Sequence, residues 1–167
     1  MGGDHGNSNL RPSLLLLSPT AWEGWLSAAK AERTERSKRE RAAGTSTVSS
    51  MDVTTFEQEV KSVVDDLPEW VTLEMENVVI VVERNASRDQ DPSRDGLLGI
   101  YEGIPLPERG FDYFGVAPDR IVIFYEPHLK LRLGNDDLRS EIRTTVLHEV
   151  GHHFGFTDER LHDLGWG

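Results

Sequence analysis

Apolar residues fall along this chain in two rhythms. In TTFEQEVKSVVDDLP, residues 54–68, Phe56, Val60, Val63, Val64 and Leu67 recur at three- and four-residue spacing. That is the stripe of an amphipathic helix, with Thr54 or Thr55 as its cap and Pro68 as its stop. NVVIVVE at 77–83 and DRIVIFYE at 119–126 are instead continuous and β-branched. Such runs predict buried strands. Between them, NASRDQDPSRDG at 85–96 is rich in breakers and reads as a loop, LLGIYEG at 97–103 as a short strand, and IPLPERG at 104–110 as a loop. Pro127 opens a short helical turn, and helices are expected over about 136–154 and 158–164.

The last long helix carries a sharper pattern. Leu138, Ile142, Val146, Val150 and Phe154 form one four-residue row that faces the core. His148 and His152 are also four apart and stack on one face. They lie two residues off the apolar row, about 200° around the helix at ~100° per residue. The helix therefore rests one side on the core and lifts two imidazoles on the other.

Those imidazoles belong to HEVGHHFGFTD, residues 148–158. HExxH on a helix pairs two zinc-binding histidines with a glutamate that serves as general base, here Glu149. Gly155 tolerates the left-handed conformation that turns the chain back after the helix, and the turn returns Asp158 as a third ligand. The metal set read from the chain is His148, His152 and Asp158 around one Zn2+, with His162 as an alternative third ligand. Two imidazoles and a carboxylate suit zinc best among divalent ions. His153 points about 100° away from His152 and is assigned a supporting or surface role. His5 and His128 are assigned to the surface.

Charge and composition narrow the function. The 167 residues carry a net charge of −11 and no cysteine. A disulfide scaffold and a thiolate metal site are therefore excluded. Residues 51–167 hold eleven Lys and Arg against twenty-four Asp and Glu. A phosphate backbone would repel so acidic a domain, so nucleic acid is not an expected partner. The longest run of large apolar residues is VVIVV, Val78 to Val82, far short of the roughly 20 a membrane helix needs. Residues 1–50 differ in texture: a polar Gly-rich start, LLLL at 14–17, a mixed charge run at 30–41 and a small-residue stretch at 42–50. They are read as a disordered or loosely helical extension, helical at 20–41 with Trp22, Trp25 and Leu26 as a short apolar patch, or a mis-called one, and the folded domain as 51–167.

The stretch TTVLHEVGHHFGFTDERLHDLGW, with LLGIYEGIPLPERG and PDRIVIFYEP, resembles the minimal zincin-like bacterial metallopeptidase family. These are small cytoplasmic proteins with a stripped-down matrix-metalloprotease-like core. The resemblance covers about residues 51–167. It implies an α+β fold in which a short mixed β-sheet carries a backing helix and an active-site helix. It also implies a HExxHxxGxxD zinc site at His148, His152 and Asp158, with Glu149 as base. The chain departs from larger relatives: its third ligand is Asp, and no methionine follows the motif to form a turn beneath the metal. By resemblance, 97–103 is the edge strand that pairs with substrate backbone. Arg109 would then shape the cleft, and Tyr101, Tyr113 or Tyr125 would polarise an oxyanion. The resulting expectation is a cytoplasmic, monomeric zinc metallopeptidase acting on peptides or proteins. The alternative is a zincin scaffold that binds zinc, cleaves little and serves regulation or interaction.

Overall fold

A computed structural model describes residues 19–42, 50–110 and 117–167. Strand β1 (Val78–Glu83), strand β2 (Gly99–Glu102) and strand β3 (Asp119–Phe124) form one sheet in the order β1-β3-β2. β3 runs parallel to β1, with Ile80 opposite Ile121, and antiparallel to β2, with Tyr101 opposite Ile121. The sheet is thus mixed and the fold α+β. The central strand is the most apolar, and Ile121 to Phe124 are all fully buried. β2 forms one edge of the sheet, with no further strand beside it among the described residues.

Helices α1 (Pro19–Ala42), α2 (Val53–Asp65), α3 (Glu69–Glu74), α4 (Tyr125–Lys130), α5 (Asn135–His153) and α6 (Asp158–Leu164) surround the sheet. α2 buries the expected Phe56, Val60 and Val63. Its cap is Asp52 rather than either threonine: the Asp52 carboxylate accepts the Thr55 N–H at 2.8 Å. α3 starts directly after Pro68 and was not expected, because six residues show too little periodicity to register. α4 begins at Tyr125, two residues before the expected proline start. α5 buries Leu138, Ile142, Val146 and Val150 on the predicted row. No helix among the described residues is long and apolar enough to cross a membrane.

The largest departure from the sequence reading is α1. It is a regular helix of 24 residues whose Trp22, Leu26 and Ala29 join the same core as the sheet. Its overall pattern is weakly amphipathic, and its buried face is a short patch that tertiary partners complete. Trp22 stacks on Phe154 with centroids 5.0 Å apart and meets Trp70 edge-on at 5.9 Å. Leu26 offers its backbone carbonyl to Trp166 Nε1 at 3.3 Å. Arg33 donates to Thr144 Oγ1 and to the Gly165 carbonyl, and its guanidinium lies 4.9 Å over the Trp166 ring. α1 therefore braces the back of α5 and α6.

Candidate metal centre

Two glycine turns build this site. α5 ends at Gly155, whose φ is +86°, a conformation that favours glycine. Gly155 N–H donates to the His152 carbonyl at 2.9 Å, and Phe156 N–H reaches back to Gly151 at 3.0 Å. This doubly bonded helix stop uses the carbonyls the helix leaves unpaired. α6 then starts from Thr157, whose Oγ1 accepts the Arg160 N–H, and Asp158 is its first residue. α6 ends the same way: Gly165 has φ +82°, its N–H donates to His162, and Trp166 N–H reaches Leu161 at 2.8 Å.

Each turn delivers a carbonyl to one histidine. His152 Nδ1 lies 2.9 Å from the Phe156 oxygen, and His148 Nδ1 lies 2.6 Å from the Trp166 oxygen. A carbonyl can only accept, so each Nδ1 carries a proton, and in the neutral ring that leaves the Nε2 lone pair free for a metal. The two Nε2 atoms face each other at 2.9 Å, and Asp158 Oδ1 sits 3.2 Å from one and 3.1 Å from the other. The ligand atoms of His148, His152 and Asp158 thus converge, and with both imidazoles neutral and the carboxylate charged they offer three acceptors and no donor. A cation relieves that repulsion, and two neutral imidazoles plus a carboxylate fit the donor set of tetrahedral zinc.

The family model of zincin-like metallopeptidases matches residues 75–166. The chain belongs to this family. Among curated proteins, none matches it. The family implies zinc binding and peptidase chemistry, and the matched span takes in all three strands and the converging atoms.

In this zincin-like metallopeptidase, Glu149 is buried against the edge strand, on the side of α5 next to His148. It accepts the backbone N–H of Tyr101. Burial pushes its carboxyl up to about 8; the Asp158 charge adds to this and the Tyr101 N–H opposes it. Gly99 lets the strand lie this close, since a Cβ there would stand 2.9 Å from Glu149 Oε1 and 2.7 Å from Thr145 Cγ2. A cleft of about 540 Å³ opens over Glu149, His148, His152 and Asp158, with β2 and Pro105 to Glu108 on its other side.

The remaining predicted residues separate. His162 is exposed on α6 and is not among the converging atoms. His153 is fully buried, and its Nε2 donates to the Glu74 carbonyl at 3.1 Å. Its Nδ1 therefore accepts from Arg109, 3.2 Å away. His128 is also fully buried rather than on the surface: α4 packs it beneath α5, with Nδ1 donating to the Phe124 carbonyl at 2.7 Å. Arg109 pairs with buried Asp119, which also accepts from Tyr101 Oη at 2.5 Å. Burial raises the Tyr101 phenol well above its ordinary value, and the hydrogen bond to Asp119 adds to that. Tyr125 Oη donates to the Met51 carbonyl. Neither hydroxyl is thus left for an oxyanion in this structure; Tyr113 and His5 lie outside the described residues. Sequence reasoning missed the carbonyls of Phe156 and Trp166 and the N–H of Tyr101, because backbone groups leave no residue signature. The glycines that aim the two carbonyls were the available signal.

Proposed function

We propose that this protein is a zinc-dependent peptidase in which His148, His152 and Asp158 hold one zinc ion and Glu149 is the general base. The observation that carries the reading is the convergence of three metal-ligand atoms within 3.2 Å, the two imidazoles each held from behind by a backbone carbonyl at Nδ1. Zinc bound by these groups supplies a Lewis acid that polarises a peptide carbonyl and makes water acidic near neutral pH.

Glu149 takes the proton of the attacking water on its carboxylate and passes it to the leaving amine nitrogen. A cation beside it favours the charged form that burial opposes, which readies the carboxylate to accept a proton. The Tyr101 N–H holds the carboxylate in place while this happens. Strand β2 positions the peptide. Phe124 N–H donates to Leu98 at 2.8 Å, so with the observed register Ile100 faces β3, and Gly99 and Tyr101 face the open edge. The Gly99 N–H and carbonyl and the Tyr101 carbonyl are left to pair with an extended substrate.

The test is metal content followed by turnover. Purified full-length protein is expected to carry about one zinc per chain and to cleave a peptide library, and Glu149→Gln to keep the metal but not the cleavage. Stoichiometric zinc with no cleavage by the wild type would favour the scaffold reading. No zinc after reconstitution would remove the ligand assignment.

A further inference from the structure

A second cavity shares no lining residue with the metal-site cleft and lies along the loop that leads into β2. It measures about 290 Å³ and is lined by Asn85, Ser87, Arg88, Arg94, Gly96 and Lys130 among others. That volume falls at the lower end of small-molecule sites, roughly 300 Å³.

Its charge runs against the rest of the domain. Residues 51–167 hold eleven Lys and Arg, and seven of these make ion pairs. The other four, Arg88, Arg94, Lys130 and Arg132, make none among the described residues, and three of them line this one cavity. With twenty-four carboxylates in the same domain, pairing each cation would cost little. Lys130 feels the Glu126 charge but makes no ion pair with it, and like charges around one space repel one another, a repulsion that an anion relieves.

The carboxylates nearby are already engaged. Asp91, which lines the cavity, accepts the N–H groups of Asp95 and Gly96 at 3.1 Å and of Leu97 at 3.3 Å. Glu126, one turn before Lys130, is bonded by Arg84 and by Asn85 Nδ2 and interacts with the Lys130 charge only at longer range. Ser87 Oγ accepts the Gln90 N–H at 3.2 Å, which leaves its own proton to donate. Arg94 is held with φ at +60°, a left-handed conformation uncommon outside glycine. Asp91 thus spends its carboxylate on the loop's own backbone, while Arg88 and Arg94 border the cavity from exposed positions.

We infer that this cavity is a binding site for a small oxyanion, a phosphate or carboxylate group gripped by Arg88, Arg94 and Lys130 with the Ser87 hydroxyl as a further donor. Guanidinium forks and an ammonium suit such a group through charge-assisted hydrogen bonds. The site is independent of the proposed hydrolysis, and its occupant touches Gly96, next to Leu97 of the cleft wall.

The test is a titration of the full-length, metal-free protein with inorganic phosphate and, separately, succinate at constant ionic strength, followed by backbone amide NMR. Saturable shifts at 85–96 and 130 are expected, with residues 148–158 unmoved. Saturation by phosphate alone, or by succinate alone, names the class of anion. Arg88→Ala and Lys130→Gln, both at exposed positions, are each expected to weaken binding ~10-fold or more while leaving the other amides in place. Arg94→Gly, which keeps the backbone conformation, should do the same. Non-saturating shifts with both anions, or binding unchanged in all three variants, would overturn the site.

Discussion

His148 Nδ1 lies 2.6 Å from the carbonyl oxygen of Trp166, eighteen residues further along the chain. His152 makes the matching bond to Phe156, only four residues on. In both cases the accepting carbonyl belongs to the residue just after a left-handed glycine that ends a helix. One local device, used twice, sets both imidazole tautomers and aims both lone pairs at Asp158.

Gly155→Ala tests that device. An alanine forced to positive φ costs about 1 kcal/mol, and its Cβ would stand 2.8 Å from Pro107 Cγ. The Phe156 carbonyl must then shift away from His152. Zinc affinity is expected to fall ~10–100-fold, the usual consequence of losing a group that orients a ligand. Competition with a chromophoric chelator measures it. Unchanged affinity with a lowered melting temperature would mean that His152 is oriented without the turn.

Trp22→Ala probes α1 from the other side. Trp22 is buried between Phe154, Trp25 and Trp70, and truncation there is expected to cost about 3–5 kcal/mol. Because the Leu26 carbonyl anchors the Trp166 indole and the Trp166 carbonyl orients His148, zinc affinity should fall as well. Chemical denaturation and chelator competition on the same variant measure both effects. A stability loss with no change in zinc binding would show that α1 braces the core but not the site.

Much of this was legible before any coordinates. The β-branched runs marked β1 and β3, the Leu138 row marked the buried face of α5, and spacing alone brought His148, His152 and Asp158 together. α1 was legible only as a loose helix with Trp22, Trp25 and Leu26 as an apolar patch; its docking into the core was not, since so short a stripe does not stand out from the charge run that follows. His128 and His153 escaped for a related reason. A histidine that bonds a backbone carbonyl inside the core looks, in sequence, like one in water. Asp119 read as the polar start of a strand, and only the pairing of β2 with β3 brings it beside Tyr101.

Glu149→Gln separates binding from chemistry. The amide can still accept the Tyr101 N–H, so the local fold should hold, but it cannot take a proton. Zinc content is expected to match the wild type and kcat to fall by ~10²–10⁴-fold, the usual share of general base catalysis. Retained turnover would remove Glu149 as the base.

The buried pair of Arg109 and Asp119 ties the loop at 104–110 to the sheet and, through His153, to α5. Their side chains are only 12% and 4% exposed. Asp119→Ala would take away the buried carboxylate that the Arg109 guanidinium and the Tyr101 hydroxyl share, at an expected cost of about 3–5 kcal/mol. Asp119→Asn still offers an acceptor to Tyr101 and should cost less. Urea midpoints for the two variants check the order; equal losses would show that geometry, not charge, is what Asp119 supplies.

His128 predicts how stability answers to acid. Burial holds its imidazole below the ordinary value of 6.5, with the bond to the Phe124 carbonyl opposing that shift. Between 6.5 and its lower folded pKa, the unfolded chain binds a proton that the folded chain refuses. The stability it contributes is therefore fully present above about pH 6.5 and is lost as pH falls toward the folded value, by at most about 1.4 kcal/mol per pH unit. His153 is shifted the same way, with burial again the largest cause. His128→Gln should then flatten the acid limb of stability against pH without abolishing it, because His153 still titrates. Denaturant melts between pH 5 and 8 decide this, and an acid limb of unchanged slope would mean that His128 is protonated in the fold as readily as outside it.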